Sequence, residues 1–137
     1  MRIRQSFIAL RAVTALSLVL AAAFIAVFSI LPNAVMERLE RSIVPRAASA
    51  IEKTQKGDTL SALEDVLEMK AILEDAHEEL LMLFAHGDII ELNYCVRTAE
   101  ELARSGDTSQ LLTELTGIES VIWSLRHRNE ATLSNLL

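Results

Sequence analysis

Glu74 and His77 have the Glu-x-x-His spacing that puts a carboxylate and an imidazole on one helix face, as in di-iron four-helix bundles. That chemistry needs a second such motif and two further inward carboxylates, and no second Glu-x-x-His occurs in the 137 residues. Both residues also flank the apolar stripe of Leu73, Ala76 and Leu80 instead of lying on it, so no metal site is expected. Glu74, Asp75, Glu78 and Glu79 concentrate negative charge, but calcium ligands come at loop spacing and these lie along a helix. His86 and Asp88 flank Gly87 in an expected turn and are the two turn-borne candidates for a functional role. The structural reading of His86 is an imidazole complementing a helix C-terminus, and His127, between Arg126 and Arg128, reads in the same way.

Cys95 is the one cysteine, so no intramolecular disulfide can form, and its expected role is a small buried residue on a helix. No cysteine follows the hydrophobic segment within reach of a signal peptidase, which argues against a lipoprotein. There is no Ser-His-Asp or Cys-His order, and four glycines leave little room for a phosphate-cradling loop. No catalytic residue, cofactor or metal is therefore expected, and the chain does not read as an enzyme. Tyr94 and Trp123 are single aromatics read as core or margin packing.

The elements that would carry these residues follow from two patterns. From Ala12 to Leu31 twenty residues carry no charge, which at about 1.5 Å per residue matches a hydrocarbon core of roughly 30 Å. Arg2, Arg4 and Arg11 precede this stretch and the first acid is Glu37, leaving 10 Lys or Arg against 19 Asp or Glu in the remainder, a net charge of −9. The positive-inside rule then puts residues 1–11 in the cytoplasm, a signal-anchor helix at 12–31, and the rest outside the cell membrane as a single-pass protein. The rival reading is a cleaved signal peptide, whose apolar region is usually roughly 7–15 residues and whose best small-x-small site here is Ala48-Ser49-Ala50. An acidic outer domain repels phosphate backbones, so nucleic acid is not an expected partner.

Beyond Pro32 the pattern is helical throughout. Gly57-Asp58, Gly87-Asp88 and Gly106-Asp107 each read as a left-handed helix end followed by an N-cap, giving helices at about 34–55, 59–85, 89–104 and 108–133. Apolar residues spaced by four and three mark three of them: Ala62, Val66, Met69, Leu73, Ala76, Leu80 and Leu83; Ile89, Leu92, Val96, Ala99 and Leu102 or Ala103; Leu111, Leu115, Ile118, Ile122 and Leu125. Short turns between such stripes predict an all-α fold, the transmembrane helix followed by an antiparallel up-down bundle of three to four helices. Residues 32–56 form a first helix or stalk with a kink or break at Pro45, and residues 57–137 form the extracytoplasmic bundle. The turns fall thirty and nineteen residues apart, unlike the roughly 34 of a tetratricopeptide array.

This layout, with LLMLFAHGDIIEL at its centre and the tail ATLSNLL, resembles the small bacterial membrane proteins grouped as domain of unknown function 4363. His86, Asp88 and Ile89 match the His-x-Asp/Glu-Ile segment of that family, and Asn135-Leu136 its terminal Asn-Ile/Leu. The chain departs from it at Leu73, where the family has a tryptophan. The resemblance implies a membrane-anchored helical domain without assigned activity. The functional expectation is a non-enzymatic interaction or accessory module of the bacterial envelope, bound to lipid through its first helix and to an envelope protein through its bundle. The alternatives are an extracytoplasmic sensor binding a small ligand or cation, and a homo-oligomeric structural protein pairing through leucines including Leu136-Leu137.

Overall fold

A computed structural model describes the backbone of residues 2–134 and the side chains of 13–27 and 30–128. The Asn135-Leu136 match and the Leu136-Leu137 tail lie outside the described residues, as do the side chains of Arg2, Arg4 and Arg11. The chain is all-helical, with no strand among the described residues. Its helices are α1 (Arg2–Gln55), α2 (Thr59–Asp75), α3 (His77–Leu83), α4 (His86–Ser105) and α5 (Thr108–Ser134).

The largest departure from the sequence reading is α1. It runs unbroken through Pro32 and Pro45 for 54 residues, about 80 Å of helix. Pro45 does remove a backbone hydrogen bond, but its ring faces solvent. The opposite side of the same turns carries Ile43, Ala47 and Ala50, all fully buried. Side chains add bonds around the proline: Ser42 Oγ donates to the Arg38 carbonyl at 2.9 Å and Arg46 Nη1 to the Ser42 carbonyl at 2.7 Å. Packing on one face thus holds the helix where local propensity would break it. Residues 32–55 are accordingly a wall of the bundle, contributing Val35, Met36, Leu39, Ile43, Ala47 and Ala50 to the core, and not a free stalk.

α2 stops ten residues short of its expected end. Glu74 and Glu78, and Asp75 and Glu79, are like charges at i,i+4 spacing, which weakens a helix. At Ala76 (φ −89°, ψ 1°) the chain makes a single turn residue before α3 resumes. The hydrogen-bond ladder bridges the defect, with Ala76 N donating to the Ile72 carbonyl at 3.1 Å and Leu80 N to the Ala76 carbonyl at 2.9 Å. Ala76 itself is only partly buried, whereas Leu73 and Leu80 on either side are fully buried.

The two outer Gly-Asp pairs do what their composition dictates. Gly57 (φ +80°) and Gly106 (φ +77°) take the left-handed conformation. Asp58 N then donates back to the Lys53 carbonyl and Asp107 N to that of Leu102, closing the helix ends. Asp58 Oδ1 accepts from Ser61 N at 3.0 Å and Asp107 Oδ1 from Gln110 N at 3.1 Å, capping the next helices. Those hydrogen bonds to Ser61, with the nearby Lys53 charge, hold the Asp58 carboxyl below its ordinary range. Gly87-Asp88 behaves differently. Phe84 and Ala85 are extended and end α3 without a left-handed residue, so α4 starts at His86 and Gly87 lies inside its first turn.

Four arms close a ring in which α1 packs on α2, α2 on α4, α4 on α5 and α5 on α1. The stripes read from the sequence are buried, with Val121 added, except that Ala76, Leu83 and Leu102 are only partly buried against the core. Where α4 meets α5, a Cβ built on Gly117 would lie 4.0 Å from Cys95 Sγ, an ordinary contact. Alanine fits there and is the better helix former, so Gly117→Ala should stabilise the domain by about 0.5–1 kcal/mol, read as a raised midpoint in urea unfolding.

Candidate functional site

Residues that sequence reading singled out are dispersed over the surface. Glu74 and His77 both face solvent. Among the described residues no group of three His, Cys, Asp or Glu is placed to hold a metal ion. His86 is exposed, and it opens α4 where it was expected to complement the end of the preceding helix. Asp88 lies two residues on in the first turn, where its charge suits the helix dipole. Its carboxylate also pairs with Arg128 of α5 at 2.8 Å and is largely covered, so Asp88 ties α4 to α5.

Asp88 belongs to a tier of ion pairs at one end of the bundle. Arg126 Nη1 reaches Glu40 Oε2 at 2.6 Å and joins α5 to α1, while Arg38 pairs with Glu79 and joins α1 to α3. Glu37 pairs with Arg41 on α1 itself. Two open crevices flank this tier. The larger, about 680 Å³, is lined by Asn33, Met36, Glu40, Arg41, Val44 and Arg126. The smaller, about 280 Å³, lies between α1 and the α2–α3 break beside Arg38, Ile72, Ala76 and Glu79. Each crevice is crossed by an ion pair between its own walls, and among the described residues no buried side-chain polar atom lacks a partner. This arrangement clamps helices together; its charges are already spent on one another.

Further along, Lys70 Nζ and Arg104 both bind Glu100, at 2.8 and 2.9 Å, and link α2 to α4. These contacts, Lys70 first, hold the Glu100 carboxyl below its ordinary range against the opposing effect of burial. A carboxylate with a depressed folded pKa contributes stability that is present above its unfolded pKa, about 4.3, and is lost as pH falls through the folded value. Melting temperature should therefore hold from pH 7 to about 5 and fall below about 4.5. Glu100→Gln should lower the pH 7 value and reduce the acid-dependent part of the fall.

The single cysteine is half-buried on α4. Burial, followed by the carboxylates of Glu114 and Glu91, pushes its thiol up from the ordinary range, which makes it a poor nucleophile at neutral pH. Tyr94 and Trp123, expected as packing residues, are 65% and 62% exposed. Trp123 is covered on one face by His127, whose ring centroid is 3.8 Å away and whose Nδ1 lies 3.0 Å from the Trp123 carbonyl oxygen. Ile90 is also more than half exposed, one helical turn from Tyr94 on α4.

The other feature of functional weight is α1 before the bundle. Every described side chain from Val13 to Leu31 is exposed, including Leu16, Val19, Phe24 and Ile30 at more than 60%. This is one helix long and apolar enough to span a membrane, near the N-terminus of the chain. Burial begins at Pro32 and Val35. Compared with known proteins, the chain matches no family model, no curated protein and no solved structure.

Proposed function

We propose that this chain is a membrane-anchored, non-enzymatic interaction module of the bacterial envelope. The observation that carries the reading is the abrupt change along α1. Apolar turns whose described side chains are all exposed run, without a break, into turns that form a bundle core. Soluble core helices are covered by their own fold; this segment requires an apolar surrounding from elsewhere, and a bilayer supplies it. Arg2, Arg4 and Arg11 on one side and the acidic bundle on the other orient it with the N-terminus cytoplasmic. An uncleaved anchor is supported by the position of Ala48–Ala50 inside α1. A cut there would strip Val35, Met36, Leu39, Ile43 and Ala47 from the core. The domain is an up-down bundle in this reading: as α1 advances through Arg38, Arg46 and Lys53, its ion-pair partners retreat through Glu79, Glu68 and Asp65. Membership of the domain of unknown function 4363 family is part of the same proposal.

Ile90 and Tyr94 are the side chains a protein partner would bury, since aromatic anchors dominate such interfaces. Photo-crosslinking from position 94 in intact cells should capture a specific envelope protein that a scrambled-anchor control does not capture. Recovery of the same products from both would remove the interaction reading.

A further inference from the structure

The ion pairs fix the heights of residues along the bundle. Three residues on from Glu79, and three back from its partner Arg38, bring Met82 level with Val35, one helical turn or about 5 Å above Pro32. Eight residues on from Arg126, and eight back from Glu40, bring the end of α5 at Ser134 level with Pro32. The α3–α4 corner, residues 84–85, therefore sits at the end of the bundle from which the apolar turns of α1 emerge. At that corner Met82 is 82% exposed, the highest value of any large hydrophobic residue among those described. Ala85 and Gly87 beside it are exposed too, while Leu81, Leu83 and Phe84 reach inward and hold the corner to the core.

Glu37, Glu40, Glu79 and Asp88 at this end are each paired with an arginine, which offsets part of the charge that repels anionic headgroups, while Glu78 and Glu91 are exposed there as well. We infer that the α3–α4 corner is a membrane-contact element: Met82 enters the boundary between headgroups and acyl chains, and the bundle stands on the lipid surface. The α1 helix runs without a break from the bundle wall into the apolar turns, so the end of the bundle that carries the corner is held next to the bilayer. The inference rests on the anchor reading.

The test uses full-length protein in phosphatidylcholine–phosphatidylglycerol vesicles, with Cys95→Ala and one new cysteine carrying an environment-sensitive nitrobenzoxadiazole dye. Met82→Cys places the dye at the corner. Leu60→Cys places it on a residue of similar exposure at the far end, about 35 Å higher. Vesicles bearing a nitroxide just below the headgroups should quench the dye at position 82 several-fold more than at position 60, with a blue-shifted emission at 82. Equal, water-like emission at both positions, in protein that resists alkaline carbonate extraction, overturns the membrane contact and leaves the anchor standing. Protein that carbonate releases overturns both.

Discussion

Leu115→Ala should destabilise the folded domain by about 2–5 kcal/mol, the cost of deleting three buried carbons and leaving a cavity. Leu115 is fully buried about two turns into α5, the arm that packs on both α4 and α1. With one cysteine there is no intramolecular disulfide, so the fold stands on non-covalent contacts, side-chain packing foremost. A domain of this size has about 5–15 kcal/mol of stability in total, so the loss is a large fraction of it. Urea unfolding followed by circular dichroism should show a lower midpoint at an unchanged slope. Leu60→Ala provides the contrast: Leu60 is 74% exposed, and its replacement should change stability by no more than about 0.5 kcal/mol. Similar effects at the two sites would mean that the buried stripe is not the source of stability.

The buried stripe was legible because its cause is local. Leu111, Leu115, Ile118, Ile122 and Leu125 repeat by four and three, and a helix has only one way to bury such a repeat. Gly57 and Gly106 were legible for a similar reason, since a left-handed residue at a helix end costs glycine little. Features that arise from competition between local and tertiary forces were not. Pro45 argues for a break, and only the burial of Ile43, Ala47 and Ala50 on the opposite face explains why α1 continues. Gly87 has the composition of the other two turns but not their geometry, because Phe84 and Ala85 had already turned the chain.

The candidate surface was harder to read. Tyr94 and Trp123 are apolar enough for a core, and their exposure depends on helical phase: Trp123 follows Ile122 by one residue, and that step of about 100° carries it from the core to the outside. The signal was present in the stripe itself, since neither aromatic falls on it. His86 and Asp88 were paired by sequence proximity, but the fold separates their roles, leaving one exposed and turning the other toward Arg128.

Two arginines in the middle of the apolar turns, Leu20→Arg with Ala23→Arg, should move the protein from the membrane to the soluble fraction while the bundle still melts as before. Between Ala12 and Leu31 there are eleven Leu, Ile, Val or Phe residues. At about −0.3 to −0.6 kcal/mol each, they favour insertion by roughly 3–7 kcal/mol in total. One central arginine costs about 2.5–3.5 kcal/mol and leaves the balance close. Two cost about 5–7 kcal/mol, and losing Leu20 removes part of the favourable side as well. The bundle is indifferent to the change because no described side chain from Val13 to Leu31 is covered by it. That indifference separates an anchor from a core helix: the same substitutions in a segment packed against the fold would bury unpaired charge and unfold it. Carbonate extraction with a melting curve on each fraction therefore decides the role of these turns. A double variant that stays in the membrane, or one that leaves it unfolded, would contradict the reading of α1 as a bilayer-spanning helix joined directly to a wall of the bundle.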